Sequence, residues 1–202
     1  MNIDCSDLYE RDRQRLCNAI MSYGPSMCVV GLCCLALEYS TLSYLHLATG
    51  IYFVNLWSYV IHRVMHSIPS SGIFSYLNIH VALHHSSKKE MSRSLELVVE
   101  TLNNLMWFVM LYILQFLLNI HIVPDSILLL TALNFTSIHI INYSLFGSQK
   151  HREQHRNPHV NYGPDFFDHI FGTNSDETFE NMTTFIPNHI GSFLLVKYLC
   201  RL

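Results

Sequence analysis

Residues 105–123, LMWFVMLYILQFLLNIHIV, constrain the fold of this chain more than any other feature, because they contain no Asp, Glu, Lys or Arg. As a helix rising 1.5 Å per residue, such a run is about 30 Å long, the thickness of a bilayer's hydrocarbon core. The composition agrees, with 50% hydrophobic and only 13% charged residues. The competing reading is a soluble helical protein with very apolar core helices, and the length and continuity of this run argue against it. A single all-α integral membrane domain over residues 1–202 is expected, with about four spans at 27–44, 45–65, 102–123 and 126–146. Glu38 weakens the first, which is alternatively a re-entrant or interfacial element.

Four spans make two hairpins, with tips near 41–47 and 119–125. All twelve Lys and Arg residues then fall on the opposite face: Arg11, Arg13 and Arg15 before the first span, Arg63, Lys88, Lys89 and Arg93 between the hairpins, and the rest after the fourth. The positive-inside rule makes that face cytoplasmic. A net charge of -3 gives no basic excess to neutralise a phosphate backbone, so nucleic acid is not an expected partner. The start, MNIDCSDLYERDRQRL, lacks the pattern of a cleaved signal peptide, so insertion is assigned to internal segments. The six cysteines read as buried thiols facing a reducing compartment. The stretch IGSFLLVKYLCRL is expected as an interfacial helix, with His189 incidental.

The residue in excess is histidine, with 13 copies. HRVMH carries His62 and His66 where the second span ends, and HVALHH carries His80, His84 and His85 between the hairpins. His139 lies late in the fourth span, followed by His151, His155 and His159 in HREQHRNPH. On a helix, residues four apart share a face one turn apart, so each HxxxH can offer two imidazoles to one cation. Three such pairs and an HH doublet on one membrane face form a helical cap built for metal, and nine histidines imply two ions rather than one. His46 and His121 lie at the far hairpin tips and cannot join them. A zinc-protease reading fails because the position that holds the general base in HExxH is Arg63 in one box and Arg152 in another.

The order of these boxes, continued by Asn161-Tyr162-Gly163 and FFDHIFGT, resembles the fatty acid hydroxylase superfamily, which includes sterol desaturases, sterol methyl oxidases and alkylglycerol monooxygenase. The resemblance covers the histidine-box region, residues 62–173. It implies a cytoplasm-facing di-iron centre, with zinc a possible substitute, held by His62, His66, His80, His84, His85, His139, His151, His155 and His159. It further implies O2 as oxidant, electrons from cytochrome b5 and its NADH-dependent reductase, a membrane lipid substrate, and the endoplasmic reticulum if the source is eukaryotic. Acyl chains, sphingoid bases, sterols and alkylglycerols all fit, as do hydroxylation, desaturation and ether cleavage. The second box is one residue longer than the family's HxxHH, and Gln154 stands where the third box has the first histidine of its doublet. Gln154 is a poor iron ligand, so the site loses a donor or His159 fills in. Asn161, Tyr162, Asp165 and Asp168 are candidates to bond the outer ring nitrogens of the ligands. Asn134 is expected to join helices within the span. The rivals are an inactive relative, suggested by Gln154, and a histidine-rich metal-binding or transport protein, which should place its ligands at mid-membrane.

Overall fold

The computed structural model describes residues 5–38, 43–69, 81 and 92–200. Every regular element among the described residues is helical. In chain order these are α1 (Cys5–Glu38), α2 (Tyr44–Ser67), α3 (Arg93–Leu118), α4 (Asp125–Ser137), a π-helical segment (Ile138–Leu145), α5 (Gln149–Arg156), α6 (Asp165–Phe171), a 3-10 turn (Met182–Phe185) and α7 (Ile186–Cys200). His80, His84 and His85 lie outside the described residues.

Three helices are long and apolar enough to cross a membrane: Glu10–Glu38, Arg93–Leu118 and Asp125–Leu145. The last two fall on expected spans. α1 begins far earlier than the expected 27, because the charged residues from Glu10 to Arg15 continue the helix with their side chains exposed. α2 occupies the second expected position, 45–65, and is 24 residues long. Asn55, Ser58, His62, Arg63 and His66 on its sequence leave it less apolar than the other three.

α3 shows why a lipid environment suits the fold. Its buried side includes the polar Glu100, Asn103, Asn104 and Gln115 beside Trp107, Phe108 and Leu111. Its outward side exposes Leu102, Met106, Val109, Ile113 and Leu117. In water that pattern is inverted, since large apolar side chains drive burial; in lipid it satisfies polar groups inside and apolar groups outside.

Ser92 caps the start of α3 and Ser43 the start of α2, each accepting a backbone N–H of the first turn. At its far end α3 stops at Asn119, whose φ of 52° is left-handed, a conformation Asn tolerates. Gln115 then clamps the following loop: its Nε2 donates to the Val123 carbonyl at 3.1 Å and its Oε1 accepts from Val123 N at 2.8 Å. This turns the chain back, so that α3 and α4 pack together. α2 approaches the same loop at Gly50, where a Cβ would sit 3.3 Å from the Ile122 carbonyl oxygen.

α4 is the central helix, packed against α1, α2, α3 and α7 around Val54, Trp107, Phe108, Leu111, Ile127, Leu130 and Val196. α7 is therefore no surface helix lying apart from the others: Val196 is fully buried, and His189 shares a 2.6 Å hydrogen bond with Ser26 Oγ of α1. The cysteine expectation also needs correcting, for among the cysteines whose side chains are described Cys33 and Cys34 are buried, whereas Cys17, Cys28 and Cys200 are exposed.

Candidate metal centre

The site forms where α2, α3, the π segment and α5 meet. Past Ser137 the α4 helix widens into the π segment, seen in the bond from Phe146 N back to the Ile141 carbonyl five residues earlier. Such widening re-aims side chains and recurs at functional sites. Here it carries His139, Tyr143 and Ser144. The His139 ring lies 4.8 Å, centroid to centroid, from His151, and Tyr143 stacks on His151 at 5.2 Å. Ser144 Oγ donates to Glu100 Oε1 at 2.8 Å.

Glu100 is the residue that sequence reasoning missed. It is 5% exposed on α3, with Oε1 3.3 Å from His139 Nε2. Ligand atoms of Glu100, His139 and His151 all lie within 4.8 Å of one another, and all three residues are buried. A carboxylate in so apolar a setting is costly unless a cation or strong donors meet it, and that cost was the available signal.

The other rings extend this cluster. His151 Nε2 lies 3.0 Å from His155 Nε2, one helical turn along α5. His62 Nε2 lies 3.1 Å from His66 Nε2, the same interval on α2. Gln154, 1% exposed, places its amide nitrogen 2.9 Å from His62 Nε2 and so joins the two halves. His159 is exposed in the loop after α5, close enough for its charge to reach His66. The structure thus brings together His62, His66, His139, His151 and His155, with His159 at the rim.

His62 is held from behind. Its Nδ1 donates in a short bond to the Tyr162 carbonyl, which leaves Nε2 as the lone-pair nitrogen facing the cluster. That carbonyl is fixed in turn by Asp168, which accepts from Tyr162 N at 2.9 Å, Gly163 N at 2.7 Å and Thr173 Oγ1 at 2.7 Å. The Asn161-Tyr162-Gly163 run owes its composition to this bend: Asn161 and Gly163 both have left-handed φ, at 55° and 66°. Burial pushes the Asp168 carboxyl up to about 6, against the opposing pull of the Thr173, Gly163 and Tyr162 bonds. Asp168 therefore acts on His62 through the backbone and not on a ring nitrogen directly.

The remaining polar residues brace the loops. Asn161 bonds Lys150 and Ser175. Asp165 accepts from Tyr23 at 2.6 Å and pairs with Lys150 at 2.9 Å. Glu180 accepts from Tyr143 and Ser148. His169 bonds the Thr178 carbonyl, and Asn142 that of Thr184.

His151 is kept neutral. Burial lowers its pKa well below the ordinary histidine value, and the neighbouring His139 and His155 lower it further. A neutral imidazole is the form that binds metal. Five imidazole rings with a carboxylate suit iron, and zinc accepts the same donors. A cavity of about 120 Å³ reaches from His62, His139 and His151 to apolar side chains of α1, α2 and α4, including Met27, Val30, Ile51 and Phe135.

Neither a curated protein nor a solved structure matches the chain. The sequence model described as fatty acid hydroxylase does match, over residues 47–173. That match starts within α2, runs through every ring of the cluster and ends at Thr173, which holds Asp168. It covers more than half of a chain with three helices fit to cross a bilayer: a membrane protein that belongs to the fatty acid hydroxylase family.

Proposed function

We propose that this chain is a membrane oxygenase that hydroxylates or desaturates a lipid with O2, using two iron ions held by its histidine boxes. The observation that carries the reading is the convergence of buried Glu100, His139 and His151 on one point beside an apolar cavity. Iron bound there supplies the oxidising power that breaking an unactivated C–H bond requires and no side chain has.

The protein's own residues perform the rest. Tyr162 and Asp168 set the tautomer and direction of His62. Trp107, whose ring lies 5.0 Å from that of His62, and Phe135, stacked near His139, exclude water from the inner side. The cavity between α1, α2 and α4 receives the lipid chain from the bilayer. In this reading α2 also crosses the membrane, as the second of four spans, the helices form two hairpins, and the site faces the cytoplasm, of the endoplasmic reticulum in a eukaryotic source. Electrons come from cytochrome b5 and its NADH-dependent reductase.

A second reading is favoured by Gln154, whose amide takes a histidine's place against His62: a relative that keeps metal without turnover. One experiment separates the two. The chain is expressed in a host and lipid extracts are compared by mass spectrometry with those from a His151→Ala control. Lipids heavier by one oxygen or lighter by two hydrogens, absent from the control, support the oxygenase. Unchanged lipids with iron retained in the purified protein support the inactive relative.

A further inference from the structure

Asn134 lies on α4, five residues before His139 and therefore roughly 7 Å deeper along the helix axis. It is 7% exposed, lines the cavity, and its Oδ1 has no hydrogen-bond partner among the described residues. The expectation that it joins two helices thus finds no bond to carry it. An amide oxygen in an apolar span is expensive to leave unpaired, so its presence there needs a partner. His189 lines the same cavity, 4% exposed, its Nε2 engaged with Ser26 Oγ and its Nδ1 without a partner among the described residues. Two residues from different helices, each with a buried polar atom lacking a partner among the described residues, therefore line one largely apolar cavity, which His62, His139 and His151 also line.

A plain hydrocarbon chain leaves both atoms unsatisfied. A hydroxyl satisfies both kinds of need, because it donates to an amide oxygen and either donates to or accepts from a ring nitrogen, whichever tautomer His189 adopts. We propose that the substrate is a lipid alcohol whose hydroxyl enters the cavity and donates to Asn134 Oδ1, with His189 on the wall of the same cavity, several bonds from the carbon presented to His62, His139 and His151. This rests on the oxygenase reading and narrows its substrate to hydroxylated lipids over simple acyl chains.

The test uses the full-length, metal-loaded protein in nanodiscs and a matched pair of probes, octadecanol and its methyl ether. The ether keeps the chain and the oxygen but cannot donate. Wild type is expected to bind the alcohol about fivefold more tightly, the scale of one net hydrogen bond. Asn134→Leu should abolish that preference while leaving iron content unchanged. Equal binding of both probes by wild type overturns the proposal, even if Asn134→Leu does not fold. A preference that persists in a folded Asn134→Leu overturns it too. Iron content is read on the same samples: loss of iron from wild type counts against the oxygenase reading, whereas retained iron without discrimination counts against the alcohol alone.

Discussion

The Gln154 amide nitrogen lies 2.9 Å from His62 Nε2, so a glutamine meets the lone pair that His62 turns toward the cluster. Because His62 Nδ1 is committed to the Tyr162 carbonyl, its Nε2 is the atom available to a cation, and Gln154 competes for it or supports it. Gln154→His puts an imidazole at that place and is expected to raise iron affinity by about tenfold, the lower end of the effect of groups around metal ligands. Equilibrium dialysis against a chelator measures the change. Affinity equal to or below wild type contradicts the assignment.

Asp168→Asn keeps the shape of the side chain but sets an amide N–H₂ against backbone donors that Asp168 now accepts. Loss of charge-assisted bonds in a buried place costs on the order of 2 kcal/mol. Thermal unfolding in detergent should show a lower midpoint. Iron content should fall as well, since Tyr162 no longer holds His62 in place, whereas a purely structural brace would lower the midpoint alone.

His189 sets an acid limit. Burial holds its pKa down to about 4, below the ordinary 6.5. The unfolded chain therefore takes up a proton before the folded one does. Stability from the neutral ring is complete above about pH 6.5 and declines as pH falls from there toward 4. The slope is at most about 1.4 kcal/mol per pH unit for one proton. In His189→Gln, unfolding midpoints measured between those pH values should fall less steeply than in wild type; parallel curves contradict this.

How far the sequence reaches can be judged residue by residue. The pairs His62 with His66 and His151 with His155 were legible because a four-residue interval is a local property of a helix. The runs that became α3 and α4 were legible because length and apolarity are local too. Glu100 was not, since its meaning depends on the π segment reaching it from another helix, and Ile138–Leu145 carries no local mark separating π from α geometry. α1 begins well before the expected 27 because apolarity marks only the part of a helix that can span, whereas a helix tolerates charges such as Glu10, Arg11, Asp12, Arg13 and Arg15 wherever its faces are exposed. His189 read as incidental because Ser26, its partner, stands 163 positions away.

Acidification should release metal only at low pH. Burial and the rings of His139 and His155 hold the His151 pKa below the ordinary histidine value, so this ligand stays neutral as pH falls through 6.5. Iron retained per chain, measured after brief incubation across a pH series, should hold at pH 6.5 and be lost only below it. Loss beginning above 6.5 contradicts a buried, neutral His151.

Glu100, His139 and His151 are placed to hold metal together. The most direct test of that joint role is the metal content, by inductively coupled plasma mass spectrometry, of purified wild-type protein and of Glu100→Ala and His151→Ala variants shown to be folded. The expected result is close to two irons per wild-type chain and a clear loss in both variants. Variants that keep the full wild-type iron content, or a folded wild type that binds none when iron is supplied, would contradict it.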